Sequence, residues 1–131
     1  MPAISQNLHD LMEGLIYYSD SDNSYTIEAL HSKSLEEVSA EIAALHNTSG
    51  ANVKSIVADA FFQHIIDAAD PNDAVIAANA KRTEALHLFL KENAPDLMVY
   101  RVETGVRIPI YIVGTLKDSS LLALKTMSVE T

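Results

Sequence analysis

"VRIPIYIVG", residues 106–114, sets Ile108, Ile110 and Ile112 on one face of a strand and Tyr111 and Val113 on the other. A strand that is apolar on both faces belongs to a sheet covered on both faces. Its neighbours in sequence, "LMVYRVE" (97–103) and "SLLALKTMSVE" (120–130), are also β-rich, and Leu121 and Ala123 extend the second apolar face. Thr104-Gly105 and "KDSS" (117–120) supply the intervening turns, so the last third of the chain predicts a β-meander. Helices earlier in the chain must provide the cover. The expected fold is α+β, a three-layer α/β/α sandwich with a mainly antiparallel sheet. Pro109, lacking an amide donor, predicts an edge strand or a bulge.

The covering helices are legible from periodicity. Residues 3–17 carry one helical stripe through Ile4, Leu8, Leu11, Met12, Leu15 and Ile16, with Pro2 suited to a first turn. "SYTIEAL" (24–30) reads as a short strand. Ser34 and Glu37 form a capping-box pattern at the start of helix 35–45, which turns Leu35, Val38, Ile42 and Leu45 inward. A loop (46–51) leads to a strand at 52–57 and a helix at 59–69 that buries Phe62, Ile65 and Ile66. "DPND" (70–73) is an acidic corner. Helix 73–93 follows, with Ile76, Ala80, Leu86, Phe89 and Leu90 as core candidates, and Pro95 ends it.

The chain's 131 residues predict one domain, 1–131, large enough to bury a core without disulfides or metals. Cysteine is absent, which excludes a disulfide framework, a thiol nucleophile and a thiolate metal site. The N-terminal stretch has no signal-peptide pattern and no apolar run approaches a membrane span, so a cytoplasmic protein is expected. The formal charge is −9. Such a surface repels nucleic acid and anionic membranes and attracts basic partners, although acidity also serves solubility. His9, His31, His46, His64 and His87 show no metal-protease spacing, and no phosphate loop or nucleophile elbow occurs. Surface or half-buried histidines are expected, with no cofactor, no metal of the protein's own and no enzymatic constellation.

"YYSDSDNSY" (17–25) places Asp20 and Asp22 together with no basic residue nearby. The spacing imitates the first half of a calcium loop, but Tyr25 stands where glycine is required and His31 where glutamate is required. Two readings stay open from the residues alone: a turn in which Asp20 binds nearby amides, or bait for a cationic partner.

"GLIYYSDSD" (14–22), "FFQHIIDAAD" (61–70), "VYRV" (99–102), "IYIVG" (110–114) and the final "SVET" (128–131), in this order, resemble the nuclease A inhibitor family over nearly the whole chain. The resemblance implies an α/β/α sandwich that blocks a sugar-non-specific, metal-dependent endonuclease by acidic substrate mimicry. It implies that Asp20 meets arginines of the nuclease, with Asp22 beside it, and that Asp70 is a second contact. It also implies that Thr131 approaches the nuclease's metal, with Glu130 adding charge. Two departures stand out. The family pattern has glutamate where Asp20 stands, so the reach is one methylene shorter. It has tryptophan after the second acid, where this chain has Pro71. An aromatic there would be a natural hot spot, so Pro71 favours an alternative: an acidic interaction module of the same fold with another basic partner.

Overall fold

The computed structural model describes residues 2–131, with side chains from residue 6 onward. Ile4, expected on the first helical stripe, lies outside the described side chains. Helix α1 (Pro2–Met12) precedes a small antiparallel hairpin, β1 (Ile16–Tyr18) and β2 (Asp22–Ser24). Strand β3 (Thr26–Glu28), helix α2 (Leu35–Leu45), a 3₁₀ turn (Gly50–Asn52), β4 (Val53–Val57), α3 (Ala58–Ala68) and α4 (Ala74–Asn93) follow. The meander closes the chain as β5 (Met98–Val102), β6 (Arg107–Thr115) and β7 (Leu121–Val129). The main sheet has the order β3-β7-β6-β5-β4, and every pairing is antiparallel.

The two apolar faces are covered as the sequence predicts. Ile108, Ile110 and Ile112 pack with Val99, Leu122 and Leu124 against α1, α3 and α4, through Leu8, Phe61, Phe62, Leu86 and Leu90. Tyr111, Val113, Tyr100, Val102 and Ala123 face α2 through Val38 and Ile42. Phe62 is fully buried, a burial that contributes about 1.5–3 kcal/mol by apolar transfer. The mixed α and β composition, the covered antiparallel sheet and the C-terminal meander all agree with the expected architecture.

Several local expectations change. The first helix ends at Met12 rather than residue 17, because Gly14 adopts φ +72° and turns the chain. Leu15 and Ile16, which had extended the helical stripe, instead lead into the hairpin; Leu15 stays fully buried there. The expected strand at 24–30 is split: Ser24 closes β2, and Thr26–Glu28 form β3. Leu45 is exposed. The capping box does not form: Ser34 makes no side-chain cap, and Glu37 accepts from the Lys33 amide instead. At α4, Asp73 does cap, accepting from the amides of Val75 at 3.0 Å and Ile76 at 3.1 Å, a contact usually worth about 1 kcal/mol.

Pro109 lies on a central strand, opposite Met127, with no bulge in that register. The strand tolerates it because the β5–β6 ladder stops at Arg101↔Ile110, one residue short of Pro109. Among the described residues, no helix is long and apolar enough to cross a membrane.

Candidate partner-binding surface

The hairpin tip and the end of β7 form one hydrogen-bonded unit. The Asp20 amide donates to the Val129 carbonyl at 3.0 Å, and the Val129 amide donates to Ser19 Oγ at 2.9 Å. Thr126 Oγ1 donates to the Ser24 carbonyl at 3.0 Å, fixing the other end of the hairpin. Beyond β7, Thr131 donates twice to Asp20 Oδ2, from its amide at 2.9 Å and from its hydroxyl at 2.7 Å. The two hydrogen bonds from Thr131, side chain first, hold the Asp20 carboxyl below its usual range. Both residues are exposed. The bond partners of Asp20 are therefore not neighbouring turn amides, the structural alternative open at the sequence level, but a residue at the far end of the chain.

Glu130 is held separately. Its amide donates to the Val106 carbonyl at 2.8 Å. Both of its carboxylate oxygens accept from Arg101 Nη2 at 2.8 Å, and Oε2 also accepts from Ser128 Oγ at 2.7 Å. Arg101, followed by Ser128, lowers the Glu130 pKa. Its charge is thus largely matched within the chain, while Asp20 has no cation bound to it among the described residues. Asp22 is exposed on β2, opposite Tyr18.

Asp70 and Pro71 are exposed in the α3–α4 corner, where Asp70 Oδ1 accepts from the Asn72 amide at 2.9 Å. That corner meets the hairpin across a cavity of about 320 Å³, whose walls include Tyr17, Tyr18, Ile65, Asp70 and Ile76. The hairpin is locked to α4 by Asn79, a residue the sequence reading passed over. Its Oδ1 accepts from the Ile16 amide at 3.0 Å, and its Nδ2 donates to the Ile16 carbonyl at 2.8 Å. Arg82 adds donation to the Leu11 carbonyl at 3.2 Å and to the Glu13 carbonyl. Ser19, Asn79 and Arg101 were not foreseen as supports. The helical spacing that sets Asn79 on the same side as Thr83, Leu86 and Leu90 was the available signal; nothing local marked Arg101.

The histidines match expectation: His46 and His87 are half-buried, the others exposed. Among the described residues, no group of three or more His, Asp or Glu side chains is placed to hold a metal ion.

Fold and surface together define a small α/β/α protein whose acidic hairpin and C-terminal segment form one hydrogen-bonded, exposed unit. The chain belongs to the nuclease A inhibitor-like protein family, whose model matches residues 2–131. Compared with curated proteins, it matches none.

Proposed function

We propose that this protein inhibits a sugar-non-specific, metal-dependent endonuclease by occupying its active site as an acidic mimic of the polynucleotide. Membership of an inhibitor family supports the class of function. The observation that carries the mechanism is the double hydrogen bond from Thr131 to Asp20. It joins an acid suited to a cationic groove to a residue whose hydroxyl oxygen suits a hard metal ion. Divalent metals of nucleases prefer oxygen ligands and retain water, so Thr131 would reach such a metal directly or through a water, where a phosphate oxygen would sit. Asp20 keeps Oδ1 for a guanidinium while Oδ2 orients Thr131; a charge-assisted bond to that one oxygen is stronger than an ordinary hydrogen bond. Asp22 serves at the rim, and Asp70 with Pro71 forms a second contact across the cavity from the hairpin. The ion pair between Glu130 and Arg101 fixes the direction in which Thr131 leaves β7.

The decisive experiment titrates the purified protein against a sugar-non-specific nuclease while DNA cleavage is followed. Stoichiometric loss of cleavage is expected, and full activity at excess protein would overturn the reading. The alternative, an acidic module with a different basic partner in a cytoplasmic setting, is favoured by one feature: Pro71 offers no aromatic anchor at the α3–α4 corner. Capture of a basic protein without nuclease activity, together with failure to inhibit, would select it.

A further inference from the structure

We infer that the cavity between the hairpin and the α3–α4 corner is a seat for one arginine side chain of the partner. The inference deepens the inhibitor reading and rests on it for the partner's identity, but not for the chemistry of the seat. The cavity, about 320 Å³, has an aliphatic wall from Ile65, Ala68 and Ile76. The Tyr18 ring stands at its side and is 38% exposed. Asp70 lies at its rim with Oδ1 committed to the Asn72 amide, which leaves Oδ2 without a hydrogen-bond partner among the described residues. Among the described residues no lysine or arginine lines the space; His64 does, and the titration that tests the seat is run at pH 8, above the ordinary imidazole range.

Each feature selects the same occupant. An arginine carries an aliphatic stem that packs on Ile65 and Ile76 and a planar cation that stacks on a phenol ring. Its fork then donates to the free oxygen of Asp70. Lysine fits less well, because its compact ammonium is strongly hydrated and cannot stack. A neutral apolar side chain would leave Asp70 unmatched. The chain's charge of −9 draws a basic partner to this face. The floor is rigid, because Asn79 spends both its carbonyl and its amino group on Ile16. Tyr18 belongs to β1, the strand that leads to Asp20. An arginine seated here and a second cation at Asp20 would therefore grip the hairpin from two sides. The seat also answers the lack of an aromatic at residue 71: here the partner brings the anchor and this chain brings the pocket.

The test uses the full isotope-labelled chain at pH 8, titrated by NMR with N-acetyl-arginine methylamide and, separately, with its neutral isostere N-acetyl-citrulline methylamide. The arginine probe is expected to shift the methyl groups of Ile65 and Ile76 and the ring of Tyr18. The citrulline probe should bind more weakly. Asp70→Asn should lower the affinity for the arginine probe about threefold, the size of one exposed charge pair, with the remaining spectrum unchanged. Equal binding of the two probes, or shifts confined to the surroundings of Asp20 and Asp22, or no shifts, overturns the seat. Nuclease inhibition is measured in parallel on the unmodified chain. Inhibition without probe binding removes the seat alone, whereas probe binding without inhibition removes the nuclease reading and keeps the seat.

Discussion

Thr131 donates two hydrogen bonds to a single oxygen of Asp20, across a sequence separation of 111 residues. The loop of the first hairpin and the end of the last strand are thus one hydrogen-bonded element. On the proposed reading Asp20 would have two roles, offering charge to the partner and aiming Thr131.

These two roles separate by substitution. Asp20→Asn keeps a carbonyl oxygen able to accept from Thr131 but removes the charge, whereas Asp20→Ala removes both. Dissociation of the nuclease complex should accelerate for both variants, on the order of tenfold or more for Asp20→Ala, with Asp20→Asn intermediate. Surface plasmon resonance with immobilised nuclease reads the rates, and equal rates for the two variants would show that aiming Thr131 contributes nothing.

Appending two or three glycines after Thr131 would crowd the place where, on the proposed reading, a metal of the nuclease would meet this residue. Inhibition should weaken sharply while the thermal midpoint stays the same, since Thr131 is exposed and contributes no core. An extended protein that inhibits as well as the parent would exclude a plug at the metal.

Asn79→Ala strips the hairpin of its tie to α4. The Ile16 amide and carbonyl lose their side-chain partners, which should cost about 1–3 kcal/mol if they stay buried. Hydrogen exchange should quicken at residues 16–24 before the main sheet, and inhibition should fall with it. Uniform protection across the hairpin and the sheet would contradict this coupling.

Gly114→Ala tests packing where α4 turns into β5. A methyl group there would lie 2.6 Å from Ala94 Cβ and 3.1 Å from Leu97 Cδ1. The loss should be about 1–3 kcal/mol by chemical denaturation, as overpacking predicts. Asp96 sits at the same corner, accepting from the Thr115 amide at 2.7 Å and its hydroxyl at 2.6 Å, so the backbone has little freedom to yield.

Stability should fall with acidity in two windows. Burial pushes His87 below the ordinary 6.5, even though Asp59, at 3.0 Å, pulls the other way; His46 is lowered by burial, with Lys125 adding to it. The unfolded chain therefore takes up protons first, and stability is lost as pH falls from 6.5 through the folded values. Asp59, held low chiefly by its hydrogen bond from Lys91, and Glu130, held low chiefly by Arg101, add a second loss as pH falls below their ordinary 3.8 and 4.5. Thermal midpoints across pH 8 to 3 should show both steps, and His87→Gln should flatten the upper one. An unchanged upper step would assign it elsewhere.

Much of the scaffold was legible because period and polarity are local properties. The both-sided strand at 106–114 required two covering layers, and the spacing of Val38, Ile42, Leu86 and Leu90 supplied helices to make them. Where the reading erred, a competing local signal had won: Leu15 and Ile16 continued a helical stripe that the left-handed turn at Gly14 cut short. Pro109 was expected at an edge because its missing donor is visible in sequence, whereas the length of its neighbouring strand is not.

Sequence alone determined most element types, though not the first hairpin, together with the two apolar faces of the sheet, the acidic charge and the residues that resemble an inhibitor. Tertiary structure decided which of those acids are free. Glu130 and Asp20 look alike in sequence, yet Arg101 matches the first, and among the described residues only Thr131 bonds the carboxylate of the second. The reason is register: a hydrogen bond between residues more than a hundred positions apart depends on how strands align, and an alternating pattern of apolar residues fixes which face a side chain takes without fixing what lies opposite it.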